Sequence, residues 1–181
     1  SDPSVSAPSL TNSTICAGQS TTFAVTLTGT APWSVTYTNG TTPVTVSGIN
    51  ASPHTITVSP AVTSTYTLTA VSDAHCNAIS LNGNAVVTVI PLPTATLSGN
   101  TTICAGSSAN LSVVLTGAQP WTITYTDGTT PVTVSGIITS PYSISVSPIA
   151  TTTYSLTAVS DVNCTGTSFT GNATVVVDNL P

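Results

Sequence analysis

The stretch TTPVTVSGI stands at 41–49 and again, unchanged, at 129–137, an offset of 88 residues. Cys16 and Cys104 keep that offset, as do Cys76 and Cys164, Trp33 and Trp121, and Tyr66 and Tyr154. A chain built this way repeats one structural unit, and the fold must close within about 90 residues. The proline-bearing joint VIPLPT (89–94) separates the copies, giving repeats at 1–91 and 92–181. The closing VVVDNLP (175–181) matches the joint, so a longer array of such repeats is expected.

Within each unit the apolar residues recur every second position. TFAVTLTG (22–29) sets Phe23, Val25 and Leu27 on one face and threonine on the other. WSVTYT (33–38), HTITVS (54–59), TYTLTAVS (65–72) and NAVVTVI (84–90) alternate likewise. Such β-branched runs, bounded by Gly, Pro, Asn and Asp, are strand signals, and no helical stripe competes with them. Six or seven short strands per unit predict an all-β chain of two tandem immunoglobulin-like β-sandwiches. Trp33 and Trp121 then fit the third strand as core anchors, and Tyr66 and Tyr154 fit the start of the sixth.

The charge content narrows the function classes. The chain has no Lys or Arg and five acidic residues, all aspartates, so 3% of it is charged, against about a quarter in ordinary globular chains. Without cations there is no basic patch for nucleic acid or anionic lipid. Lysine isopeptide crosslinks and trypsin cleavage are likewise ruled out. No apolar run approaches the ~20 residues of a membrane-spanning helix, so no membrane insertion is expected. Four cysteines in such a chain favour disulfides and an oxidising, extracellular compartment.

The pattern TTICAG…PW…Y…SP…TTTYSLTAVSD followed by a cysteine resembles the Ig-like (PKD-like) repeats of giant Bacteroidetes cell-surface proteins, gliding adhesins among them. The likeness covers both units almost end to end. It implies secretion, by the type IX route, into stalks or filaments on the cell exterior. It implies no catalytic residues and no cofactor.

The residues that could carry chemistry are few. His54 and His75 are the general-base candidates, with Asp73 two residues before His75, but the second unit has Tyr142 and Asn163 at the matching positions. No carboxylate cluster suits calcium and no Cys/His cluster suits zinc. Sequons occur at Asn12, Asn39, Asn50, Asn100, Asn110, Asn163 and Asn172; in so threonine-rich a chain some are expected by composition, so strand faces and turns compete with glycosylation. Trp33 and Trp121 could instead form a sugar-stacking platform, which keeps open an adhesive module that binds surface glycans. Edge strands, normally guarded by charge, have only prolines here (Pro43, Pro53, Pro131, Pro141). The uncharged outer faces therefore favour flanking copies or further repeats as partners.

The cysteines are oddly placed for a sandwich. An antibody-type disulfide puts its second cysteine two residues after the corner tyrosine, whereas Cys76 follows Tyr66 by 10. Cys76 therefore falls in the turn between the last two strands, and Cys16 in the turn before the second strand. Those turns lie at opposite ends of a strand of about seven residues, roughly 23 Å long, while a disulfide needs Cα atoms within about 7 Å. Two connectivities remain: Cys16–Cys164 between repeats, with Cys76 and Cys104 bonding to flanking units, or Cys16–Cys76 and Cys104–Cys164 within repeats. The first makes a stiff, protease-resistant spacer.

Overall fold

The computed structural model of the protein describes residues 11–77, 81 and 83–179. The chain divides into Ser1–Ile90 and Pro91–Pro181, one residue before the break expected from the repeat. The outer limits expected for the repeats, residues 1 and 181, lie outside the described residues.

The first unit contains β1 (Ser13–Cys16), β2 (Thr21–Val25), β3 (Trp33–Thr38), β4 (Pro43–Ile49), β5 (His54–Val58), β6 (Ser64–Ser72) and β7 (Asn84–Ile90). One sheet runs β1-β7-β6-β3-β4 and the other is β2-β5. Phe23 and Val25 of β2 and Ile56 of β5 share one buried cluster with Trp33, Val35 and Tyr37 of β3 and with Tyr66 and Leu68 of β6. The two inner faces thus make one sandwich core, and the period-two alternation puts them there. Phe23 meets Tyr37 edge-on, with ring centroids 5.9 Å apart.

The second unit contains β8 (Thr94–Ser98), β9 (Thr101–Cys104), β10 (Ala109–Thr116), β11 (Trp121–Thr126), β12 (Pro131–Ile137), β13 (Tyr142–Val146), β14 (Thr152–Ser160), β15 (Ser168–Thr170) and β16 (Asn172–Asp178). Its sheets run β12-β11-β14-β16-β9 and β13-β10-β8-β15. Nine strands here exceed the six or seven expected. The additions are short: β15 lies parallel on β8 and β9 lies parallel on β16.

One expectation needs correcting. Cys16 and Cys104 do not lie in a turn outside any strand; each is the last residue of a four-residue strand, β1 and β9. β1 runs parallel to β7, with Ser13 opposite Val87 and Cys16 opposite Ile90. The side chain of Asn12 starts this ladder, its Oδ1 accepting from the Val86 N–H at 3.1 Å. Asn100 does the same for the Thr174 N–H at 2.8 Å.

The outer faces pair hydroxyls where most proteins pair charges. Thr36 and Thr45 meet across β3 and β4 at 2.8 Å, and Thr124 and Thr133 across β11 and β12 at 2.9 Å. Such cross-strand pairs contribute a few tenths to about 1 kcal/mol each. Proline opens both β4 and β12, which are edge strands of their sheets, and a proline has no N–H to offer another chain.

Candidate functional site

Each repeat presents two cysteine frames built from backbone hydrogen bonds. In the first, Cys16 closes β1 and the chain turns at once toward β2. The Ala17 N–H donates to Ile90 O at 2.9 Å and the Gln19 N–H donates back to Cys16 O at 3.0 Å. Gly18 takes φ +86° with open space where a Cβ would be, so the left-handed backbone itself demands glycine. The second repeat reproduces the frame: Ala105 N–H to Asp178 O at 2.9 Å, Ser107 N–H to Cys104 O at 3.0 Å, and Gly106 at φ +86°. This turn is the physical content of the C-A-G motif.

The second frame follows β6 and β14. Asp73 Oδ1 accepts the N–H groups of His75 and Cys76, both at 2.8 Å, and its Oδ2 accepts that of Thr30 at 2.9 Å. The Asp73 N–H in turn donates to Cys76 O at 2.9 Å. Asp161 repeats the pattern with Asn163 at 2.8 Å, Cys164 at 2.7 Å and Ala118 at 2.9 Å. Gly117, at φ +106°, leaves the room that the Asp161 carboxylate occupies, since a Cβ there would sit 2.5 Å from Oδ2. The aspartate three residues before the cysteine is therefore a turn-capping group that fixes where the cysteine points. This role escaped the sequence reading, which weighed Asp73 as a histidine partner. The signal was available: the spacing Asp-x-x-Cys survives in both repeats, whereas the histidine does not.

These bonds set the carboxyl chemistry. The N–H groups of Thr30, His75 and Cys76 hold Asp73 down at about 2. The Thr129 hydroxyl, with the N–H groups of Thr130 and Thr129, holds Asp127 at about 2 as well. For Asp161 partial burial pushes upward, and the N–H groups of Ala118, Cys164 and Asn163 outweigh it, leaving the carboxyl lowered. A folded value below the unfolded one, about 3.9, gives stabilisation that is complete above about pH 4 and is lost as pH falls through about 2. Carboxyl titration by NMR should therefore place the Asp73 and Asp127 midpoints near 2, with the amides of His75 and Cys76 shifting together with Asp73; midpoints near 4 would contradict the capping role.

The thiols differ between equivalent positions. Cys16 and Cys164 are disulfide-bonded, whereas Cys76 and Cys104 are free and exposed. Neither within-repeat pair, Cys16–Cys76 or Cys104–Cys164, is therefore formed. Strand register gives the reason in the first unit. Cys16 stands abreast of Ile90, beyond the end of β6 where Ser64 faces Val87, while Cys76 follows Ser72 at the other end of β6. The 9 residues of β6 separate them by roughly 30 Å at ~3.3 Å per residue, several times the reach of a disulfide.

The other candidate residues take structural places. Trp33 and Trp121 are 9% and 8% exposed, and their Nε1–H groups donate to Thr28 O and Thr116 O, each at 3.0 Å. Their rings are core, not a sugar platform. Tyr66 and Tyr154 are buried in the same clusters. His54 opens β5 opposite Val25, and His75 is exposed in the β6–β7 turn. The Asp73 carboxylate is committed to backbone N–H groups and does not orient an imidazole for catalysis. Among the described residues no group of three His, Cys, Asp or Glu side chains converges on a metal position. No helix there is long and apolar enough to cross a membrane. Of the sequon asparagines, Asn12 and Asn100 anchor the short parallel strands, and Asn39 caps a turn through Thr41 N–H at 3.2 Å. Asn50 donates to Gly48 O at 2.9 Å. Asn163 sits in the Asp161 turn, and Asn110 and Asn172 are exposed on strands.

No curated protein matches the chain. Among solved structures, a three-Ig titin fragment carrying Glu-to-Ala changes aligns with TM-score 0.60 at 14% identity, over 98% of this chain and 66% of the fragment. The I-band titin fragment itself aligns with TM-score 0.58 at 14% identity, over 99% of this chain. The chain thus spans just under two thirds of those fragments, and the likeness establishes the tandem immunoglobulin-like fold. The family described as the Ig-like domain of nucleoporin POM152 matches residues 3–82 and again 93–172, and the chain belongs to this Ig-like domain family, of which it carries two copies.

Proposed function

We propose that the chain is a structural repeat module of an extracellular bacterial filament or giant surface adhesin, acting as a stiff, protease-resistant spacer. The observation that carries this reading is the unequal state of equivalent cysteines: Cys16 and Cys164 bonded, Cys76 and Cys104 free. In this reading Cys16 is joined to Cys164, so the disulfide ties the first repeat to the second and restricts bending at the Pro91–Pro93 joint. Disulfides that persist point to an oxidising exterior. The absence of Lys and Arg from the chain removes every trypsin-type cleavage site. The resemblance to the repeats of giant Bacteroidetes surface proteins supports the same setting, with type IX secretion as the route of export. Flanking repeats of the same kind are the natural partners.

Non-reducing chymotryptic mapping tests the linkage. A peptide containing Cys16 should be joined to one containing Cys164 and should separate on reduction. A Cys16–Cys76 peptide, or Cys16 recovered as a free thiol, would sink the spacer reading in this form.

A further inference from the structure

We propose that the first repeat carries a binding site for one neutral pyranose ring of a glycan, in a cleft built on Tyr37 and Tyr66. The site needs neither a disulfide nor a neighbouring repeat and stands apart from the spacer reading.

The cleft has a volume of about 270 Å³ and is lined by residues of both sheets. That is just below the ~300–1,000 Å³ of clefts that bury drug-sized ligands, room for a single ring. Tyr37 of β3 and Tyr66 of β6 are its deep residues, while Asn39, Thr42, Val44 and Ser59 are exposed around it. The tyrosines are 9% and 6% exposed, with ring centroids 6.2 Å apart. Neither hydroxyl has a hydrogen-bond partner among the described residues. A buried tyrosine hydroxyl ordinarily finds one, and no side-chain oxygen among those residues is sealed away without a partner. Both hydroxyls therefore open onto the cleft, where a ligand can meet them.

Phe23 packs against both rings, at 5.9 Å from Tyr37 and 5.7 Å from Tyr66 between centroids, so the rings are set before any ligand arrives. Burial, with Tyr37 beside it, raises Tyr66 above its ordinary value, which keeps its hydroxyl a donor. The indole N–H groups of Trp33 and Trp121, by contrast, are spent inside the core. Asn39 adds a third free group. Its Oδ1 holds the turn, accepting from the Thr41 N–H at 3.2 Å, the Thr41 hydroxyl at 2.7 Å and the Thr42 N–H at 3.4 Å. That leaves Nδ2 as a donor with no partner among the described residues.

The lining selects the ligand by charge. An anion would want a cation, and the chain has no Lys or Arg; a cation would find no carboxylate in the cleft. Hydroxyls that donate and accept, an amide N–H, and the apolar Val44 suit a neutral ring with hydroxyls at its edge and C–H groups on its face. The second repeat departs from this at two positions. Asp127 stands 88 residues after Asn39 and Leu111 stands 88 after Phe23. Asp127 makes the same turn through Thr129 and Thr130, but it is held at about 2 and so is charged at neutral pH. A sugar covering that carboxylate would have to strip water from a charge. The site therefore belongs to the first repeat.

The test titrates the isotope-labelled full chain with the methyl glycosides of glucose, galactose and mannose, following backbone amide shifts by NMR. At least one sugar should shift the amides of Asn39, Thr42 and Ser59 to saturation at millimolar concentration, with those of Asp127, Thr130 and Ser147 moving several-fold less. Tyr37→Phe and Tyr66→Phe keep the packed rings and remove one hydroxyl each. Either should weaken binding about 3- to 10-fold, the effect of losing one neutral hydrogen bond. Asn39→Asp, whose turn the second repeat already accommodates, should weaken it at least as much. No saturating shift with any of the three sugars, equal shifts in both repeats, or unchanged affinity in both phenylalanine variants would overturn the proposal. Should a phenylalanine variant lose the native spectrum, Asn39→Asp decides, and unchanged affinity there overturns the site. Saturation of the same amides by tetramethylammonium or by a proline-rich peptide, and not by the glycosides, would also overturn it, giving the cleft to a cation or to a peptide.

Discussion

Trp121→Ala should destabilise the second repeat by about 3–5 kcal/mol, the cost of truncating a large aromatic in a packed core. The ring is 8% exposed, opens β11 opposite Ile137 at a register shift against β12, and belongs to the buried cluster that also holds Val113 and Leu115 of β10 and Ile144 of β13. Truncation empties that volume and also strands the Thr116 carbonyl, which accepts the indole N–H at 3.0 Å. An acceptor left without its donor costs about 1–3 kcal/mol where water cannot replace it, so the upper half of the range is expected. Domains are stable by about 5–15 kcal/mol. The loss should therefore show as a separate early transition in urea followed by far-UV circular dichroism. Trp33, in the other repeat, remains as a fluorescent reporter of the first sandwich, and its transition should stay near the wild-type midpoint. Trp121→Phe, which keeps most of the apolar volume and loses the donor, should cost markedly less. A loss below about 1 kcal/mol for the alanine variant would mean that the ring is not a core anchor and would reopen a binding role for it.

What was legible in the sequence followed from period. β3 and β7 coincide with the runs read at 33–38 and 84–90 because each is rich in β-branched or aromatic residues and is bounded by Pro, Asn or Gly; alternation is strict in β3 and is broken in β7 at Val86–Val87 and Val89–Ile90. β1, β9 and β15 were not legible, for a common reason. Each has three or four residues and is held by parallel pairing to a strand distant in sequence, so too little alternation exists to detect. The cysteines were expected in turns, and the strand membership of Cys16 and Cys104 was missed with β1 and β9. The capping aspartates were hidden differently. Two of the three N–H groups each accepts are local, two and three residues on, but the third donor, Thr30 or Ala118, lies 43 residues upstream. Asn12 and Asn100 are the extreme case, each accepting from a backbone N–H 74 residues away. To a sequence reader those asparagines are sequons; in the fold they are clasps.

Pulled by its two ends, the oxidised chain should extend only by its short terminal segments, and reduction should release about 500 Å more. The spacer reading fixes this outcome through one bond. With Cys16 joined to Cys164, force entering at the first residues reaches the disulfide and leaves through the last strands, bypassing the intervening stretch of 164 − 16 = 148 residues. At the ~3.3–3.6 Å per residue of a fully extended chain, that stretch amounts to about 500 Å. Once the bond is reduced the load passes to the parallel pairs, β1 on β7 and β9 on β16. Tension then draws the first strand of each pair toward its N-terminus and the second toward its C-terminus. In a parallel pair these directions oppose, so the hydrogen bonds shear together instead of peeling one by one, and each sandwich should yield in a single step. Cys16→Ser and Cys164→Ser should each reproduce the reduced trace without reductant, whereas Cys76→Ser should leave the short oxidised trace unchanged. Full-length release from the oxidised wild-type protein would show that the two bonded cysteines do not tie the repeats together, and a spacer stiffened by that bond would be the wrong description of this chain.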